Sequence, residues 1–128
     1  MTPSIASLLI KIGGCASIGW LIFHLLFWQL FDWRAELKRL SYLNSGVMQV
    51  LNLCLIFIFL LFAFVSLWHT NELLTTSIGR SVAIGIGVFW MFRFILQPLF
   101  WGTSLSSVLF AFLFVLMSAC YLAPWALG

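Results

Sequence analysis

Charged residues are scarce in this chain, and acidic ones are almost missing. Only 7% of the 128 residues are charged, with six Lys or Arg against three Asp or Glu, whereas an ordinary soluble domain carries about 25%. A soluble chain of this length has too small a core to enclose so much apolar surface, so the composition predicts a bilayer as the solvent. The net charge of +3 is too small and too scattered for a nucleic-acid surface, and we expect no nucleic-acid partner.

Groups that hold metals or perform covalent chemistry are equally sparse. Cys15, Cys54 and Cys120 are isolated in apolar segments and form no C-x-x-C motif. The two histidines, His24 and His69, are expected about 20 Å apart along the membrane normal, too far to share one iron. No Ser/His/Asp, Cys/His or paired-carboxylate arrangement occurs. We therefore expect no metal, no cofactor and no catalytic residue.

Long apolar runs dominate what is present. Each of four runs has the length of about 20 residues that a membrane-spanning helix needs: Leu8–Phe31, Val47–Trp68, Ser81–Trp101 and Leu105–Trp125. All must be helical, because unsatisfied backbone groups are costly in lipid. With short loops between them, the runs predict an all-α membrane protein: four transmembrane helices in an antiparallel bundle, forming a single domain over residues 1–128. The expected location is the cell membrane, as a multi-pass protein.

The charges of the longest connection predict the orientation. Residues 32–46 carry Arg34, Lys38 and Arg39 beside Asp32 and Glu36. Positive residues favour the cytoplasmic side, so we expect this loop to be cytoplasmic and both termini to be outside. The excess is one charge, which leaves dual topology open.

Aromatic residues mark the predicted ends of the runs. Tryptophan is enriched at membrane interfaces, and one tryptophan lies near an end of each run: Trp33, Trp68, Trp101 and Trp125. Trp33, Leu37 and Leu40 also fall on one helical face, which predicts a short helix in the interface.

Small residues predict how two of the helices pack. In lipid, helices approach where Gly, Ala and Ser recur every four residues. The third run offers Gly79, Ala83 and Gly87 at this spacing, and the first offers Gly13 and Ser17. We expect the first and third helices to approach each other there.

Arg93 is the most unusual residue, because it is the only charge in the Ser81–Trp101 run. A charge at the centre of a membrane helix costs at least about 2.5–3.5 kcal/mol by insertion scales. No acidic residue lies inside any of the four runs to neutralise it. Intramembrane ionisable residues are functional hypotheses by default.

Five polar side chains are expected in the same half of the membrane, and we predict that they form a ligand-binding site: His24, Gln49, Asn52, Arg93 and Gln97. The cluster has donors and no internal anion, so a suitable ligand would bring a lipid phosphate, a carboxylate, a quinone or a small anion. The alternative is structural. Amide side chains often bridge membrane helices, and Arg93 would then extend toward the interface and form an ion pair with Asp32.

The function predicted from these features is that of a non-enzymatic accessory subunit or a lipid- or small-ligand-binding protein. An oligomeric channel or transporter for an anionic or polar solute is the alternative, since four spans enclose little pore by themselves. A membrane enzyme acting on a lipid or quinone is the third interpretation. The expected partners are membrane lipid and either further copies of this chain or a larger membrane complex.

Overall fold

Four long helices account for most of the protein. A computed structural model describes all 128 residues and contains no strand. Its four long helices are long and apolar enough to span a membrane, which confirms the predicted all-α four-span bundle. In chain order the helices are α1 (Pro3–Leu25), α2 (Phe27–Leu30), α3 (Trp33–Glu36), α4 (Tyr42–Trp68), α5 (Thr70–Thr75), α6 (Ser77–Trp101) and α7 (Leu105–Ala126), with a 3₁₀ turn at Leu37–Arg39 between α3 and α4.

Each long helix begins directly after a serine or threonine. Such side chains accept a hydrogen bond from an otherwise unpaired N–H of the first turn. Thr2, Ser41, Thr76 and Ser104 do this for α1, α4, α6 and α7, respectively. Three of the helices therefore start four or five residues before the apolar run that predicted them, because the cap determines the start.

The first apolar run is divided. α1 ends at Leu25 rather than Phe31, and the short helix α2 follows. Asp32 then takes a left-handed conformation, with φ of 48°, so the chain reverses before α3. Trp33 and Leu37 are buried after this turn, whereas Leu40 is exposed. The predicted interfacial helix is thus two short turns, α3 and the 3₁₀ turn, and Trp33 packs inward instead of joining an interfacial belt.

The long helices form two pairs, α1 with α4 and α6 with α7, and the pairs meet where α1 contacts α7. α1 packs against α4 and also against α7, while α6 packs against α7. α4 and α6 have few direct backbone contacts. Aromatic side chains bridge the space between them, with the rings of Phe59 and Trp90 stacked at 5.5 Å between centroids.

The small residues do not bring the first and third helices together as expected. A Cβ atom at Gly13 would meet the ring of Tyr121 on α7, and one at Gly14 would meet Ser66 and Leu67 on α4. A Cβ atom at Gly87 would meet Leu122, again on α7. Spacing alone identifies a close-packing face but not its partner: Gly13 and Gly87 both pack against α7, and Gly14 packs against α4.

Hydrogen bonds reinforce these contacts deep in the bundle. The Tyr121 hydroxyl lies 2.7 Å from Ser66 Oγ and links α7 to α4. Ser118 Oγ donates to the Gly87 carbonyl at 2.8 Å and links α7 to α6. Tyr121 and Ser66 are fully buried, so neither hydroxyl has water as an alternative partner.

We expect the Tyr121→Phe substitution to destabilise the protein by about 1 kcal/mol, since it leaves the buried Ser66 hydroxyl without its partner. The measurement is the unfolding midpoint in a titration of mild detergent with sodium dodecyl sulfate. Tyr42→Phe is the control, because Tyr42 is 98% exposed. Equal effects of the two substitutions would contradict a structural role for this hydrogen bond.

The outer surface agrees with a lipid environment. Only 25 of the 128 residues are buried, so most of the large apolar side chains of the four long helices point away from the bundle. In water such a surface would drive association, whereas in lipid it is the ordinary exterior. Trp68 and Trp101 are among the exposed residues at the helix ends.

Candidate functional site

A cavity of about 410 Å³ lies inside the bundle near the end where α1 and α6 finish. All four long helices line it, together with Phe31 and Trp33 from the segment after α1. The cavity exists because α4 and α6 do not pack closely and large aromatic rings hold the helices apart. His24, Arg93 and Gln97 line it, so the structure brings together three of the five residues in the predicted site.

Arg93 is the only permanently charged residue in the cavity lining, which includes no acidic residue. The carbon centre of its guanidinium group lies 4.4 Å from the ring centroid of Phe114 and 4.9 Å from that of Trp101. These contacts are favourable cation–π interactions. One nitrogen, Nη1, is nevertheless buried without any hydrogen-bond partner. The side chain therefore keeps an unused donor and a charge that no acidic residue of the cavity lining balances.

The alternative ion pair between Asp32 and Arg93 is not formed. The structure has an ion pair of Arg39 with Glu36 and a contact of His69 with Glu72, each at 3.5 Å, and neither involves Asp32 or Arg93. Asp32 is exposed at the left-handed turn after α2. Arg93 instead stays within the bundle and lies against aromatic rings.

His24 is held at the wall of the cavity by its own helix. Nδ1 lies 2.8 Å from the Trp20 carbonyl oxygen, and since a carbonyl only accepts, we assign the ring proton to Nδ1. The ring stacks on Phe27, with 4.3 Å between centroids, and meets the ring of Phe59 edge-on. Nε2 is therefore the nitrogen that remains for a ligand.

Gln97 contributes an unused acceptor. Its Nε2 donates to Ser107 Oγ at 3.2 Å, and Ser107 in turn donates to the Gly102 carbonyl at 2.7 Å. Because Ser107 has already used its proton, the amide must present its nitrogen to Ser107. This leaves Gln97 Oε1 buried without a partner. The amide is 5% exposed, so its orientation is fixed by this chain of hydrogen bonds.

Gln49 and Asn52 do not line the cavity. Asn52 Nδ2 donates to the His24 carbonyl oxygen at 3.0 Å, where the end of α1 leaves carbonyls without intrahelical partners. Gln49 accepts from Trp28 Nε1 at 3.4 Å. Asn52 thus connects α4 to the end of α1, and Gln49 connects α4 to α2, so the two side chains position His24 and the segment that follows it.

Most of the lining residues were not included in the predicted site, and two of them, Ser107 and Trp90, carry polar groups that matter here. Ser107 lies on a mildly polar stripe of α7, which was a usable signal. Trp90 has no polar signal in the sequence, yet it is 1% exposed and its Nε1 lacks a hydrogen-bond partner. A buried indole normally finds an acceptor, so Trp90 adds a second unused donor to the cavity lining.

Comparisons with known proteins do not assign the chain to a family. No protein-family model matches the chain, and neither a curated protein nor a solved structure matches it. The four long apolar helices therefore define what the chain is at the level that the fold supports: a small, multi-pass, all-α integral membrane protein.

Proposed function

We propose that this protein is a non-enzymatic binding protein of the membrane, which holds a lipid or small amphiphile through an anionic or hydrogen-bond-accepting group placed at Arg93. One observation carries the proposal: Arg93 is the only permanent charge in an aromatic cavity, and its buried Nη1 has no partner. Buried donors in folded proteins are nearly always paired, and no acidic residue in the cavity lining balances the charge of this group.

The unused polar atoms favour a binding role over a purely structural one. An arginine that only joins helices would be expected to donate to a carbonyl or carboxylate of a neighbouring helix. Arg93 forms no ion pair, and Trp90 Nε1 and Gln97 Oε1 in the same lining are also unpartnered. Leaving such groups unpaired is costly, and three of the four buried side-chain atoms without a partner belong to residues that line this cavity.

The hydrogen bonds of the site also favour binding over turnover. A nucleophilic serine needs a base within hydrogen-bond reach, with a third group orienting the base. Ser107 donates to a backbone carbonyl, and the ring of His24 is oriented by the Trp20 carbonyl rather than by a carboxylate. These partners fix the two side chains without activating either of them.

A channel through a single bundle is disfavoured by the packing beyond the cavity. Toward the end of the bundle that carries the chain termini, the core is closed by Ile10, Ser66 and Tyr121, which are fully buried. The cavity therefore ends inside the protein. Transport would require either several copies of the chain or a rearrangement of this packed half.

The test is native mass spectrometry of the protein purified in mild detergent, with Arg93→Ala beside the wild type. Arg80→Ala is the matched control, because Arg80 lies on the same helix and contacts the ring of Trp125 at 5.2 Å, outside the cavity. We expect a co-purifying small molecule in the wild type and in Arg80→Ala, and its loss in Arg93→Ala. Bare protein throughout, or a ligand retained by all three proteins, would contradict a site at Arg93. The same spectra report the number of copies and any bound protein subunit.

A further inference from the structure

The charge of the residues that line the cavity restricts the net charge of a suitable ligand. The lining holds one permanent cation and no acidic residue, and the basic residues of the 32–46 connection, Arg34, Lys38 and Arg39, are exposed and outside it. In a medium of low dielectric constant an uncompensated charge is costly, whether it belongs to the protein or to the ligand. One negative charge on the ligand gives a neutral complex. A phosphate monoester, with a charge of about −1.5 to −2 near neutral pH, would leave an excess.

The shape of the site favours a flat anion. The guanidinium group lies against the rings of Phe114 and Trp101 and its Nη1 is buried, so the edge with Nε and Nη2 is the part available to a ligand. This planar edge matches the two oxygens of a carboxylate. Trp90 Nε1 is a further donor in the lining. Gln97 follows Arg93 by one helical turn, at a spacing that places the two side chains on one helix face.

The volume of the cavity sets how much of the ligand's apolar part can lie inside it. An apolar cavity of about 150 Å³ holds one benzene molecule with its six heavy atoms. By proportion, a cavity of 410 Å³ holds about 16 heavy atoms. A single chain with a carboxylate fits within this volume, whereas a phospholipid would leave most of its two chains outside the cavity. The aromatic lining suits such an apolar chain.

We propose that the ligand is a single-chain amphiphile with a carboxylate headgroup, bound with the carboxylate at Arg93 and the chain among the aromatic rings. This inference rests on the proposed function, because it names the ligand class of the same cavity. It excludes a neutral headgroup, which would leave Arg93 uncompensated, and a phosphate monoester, which would bring too much charge.

The experiment is quenching of tryptophan fluorescence in nanodiscs of zwitterionic lipid. Trp20, Trp33, Trp90 and Trp101 line the cavity, so a brominated chain bound there lies within contact range of several indoles. The probes are a brominated long-chain carboxylate, the alcohol of equal length and the phosphate monoester of equal length. Each is titrated into the wild type, Arg93→Gln and Arg80→Gln.

We expect saturable quenching by the carboxylate in the wild type and Arg80→Gln, and binding weaker by about 10- to 100-fold in Arg93→Gln, as for loss of a charge-assisted hydrogen bond. The alcohol and the phosphate should bind the wild type at least about tenfold more weakly than the carboxylate does. Equal binding of the alcohol would overturn the carboxylate assignment. Equal or tighter Arg93-dependent binding of the phosphate would overturn it as well, while leaving the proposed function intact. If no probe shows Arg93-dependent quenching, both proposals fail.

Discussion

Replacing Trp90 with alanine is expected to destabilise the protein by about 3 kcal/mol, near the lower end of the range for aromatic-to-alanine changes in soluble cores. The lower end applies because apolar side chains gain little from leaving lipid, so the cost comes from lost contacts and the space left behind. Trp90 is 1% exposed. Its ring lies 5.5–5.7 Å from those of Phe59, Phe114 and Trp20, measured between centroids, so one side chain contacts all three of the other long helices.

The measurement for Trp90→Ala is the unfolding free energy from a titration of mild detergent with sodium dodecyl sulfate. Trp68→Ala is the matched control, because Trp68 is 73% exposed at the end of α4 and should change stability by less than about 0.5 kcal/mol. Trp90→Phe should fall between the wild type and Trp90→Ala, since it keeps one ring. If Trp90→Ala is no more harmful than Trp68→Ala, the bridge between α4 and α6 does not depend on this side chain.

Replacing Arg93 with methionine is expected to stabilise the ligand-free protein by about 0.5–1 kcal/mol. In the unfolded state in dodecyl sulfate micelles, the guanidinium group reaches water and sulfate headgroups. In the folded state Nη1 is buried without a partner, at a cost of about 1–3 kcal/mol or more for a charged group. The cation–π contacts with Phe114 and Trp101 offset only part of this free-energy cost, at about 0.5–1 kcal/mol each. Methionine fills similar space without the charge, so folding no longer carries that cost.

The sign of this change separates a binding residue from a structural one. Functional sites commonly reduce stability in the absence of their ligand, whereas a residue that only holds helices together destabilises the protein when it is removed. The experiment compares the unfolding free energies of Arg93→Met and the wild type after ligand has been removed by detergent exchange. Arg80→Met is the control at the other end of the helix. A loss of stability in Arg93→Met would show that Arg93 is structural and would contradict the proposed function.

The spans could be predicted from the sequence because hydropathy and capping act locally. Each long apolar run became a helix, and Ser41 and Thr76 mark starts that hydropathy alone places several residues too late. The pairing of the helices was not predictable in the same way. Gly13 and Gly87 are small residues at the right spacing, but both pack against α7 around Tyr121. Which partner a small residue meets depends on the large residue opposite it, and that choice is not local in sequence.

The candidate site was predictable in part. Depth along each helix placed His24, Arg93 and Gln97 in one layer, and the structure places all three in one cavity. Gln49 and Asn52 lie at a similar depth, but their side chains hydrogen-bond α4 to α2 and to the end of α1, respectively. Depth is readable from span ends, whereas the facing direction within a layer depends on which helices are neighbours. Trp90 could not be predicted as a site residue either, because nothing in the sequence distinguishes it from the other aromatic residues of its helix. Only the structure shows that its N–H has no hydrogen-bond partner.

The sparse contact between α4 and α6 has a mechanical consequence. No hydrogen bond joins these two helices; at the far end of the bundle the Ser66–Tyr121 bond ties α4 to α7 instead, and the Ser118–Gly87 bond ties α6 to α7. The two helix pairs are therefore joined by the α1–α7 contact on one side. On the other side, between α4 and α6, only stacked aromatic rings hold them together. Parting α4 from α6 beside the cavity separates aromatic faces and breaks no polar bond. The softest direction of this molecule thus opens sideways, from the cavity through the gap between α4 and α6 toward the outer surface of the bundle.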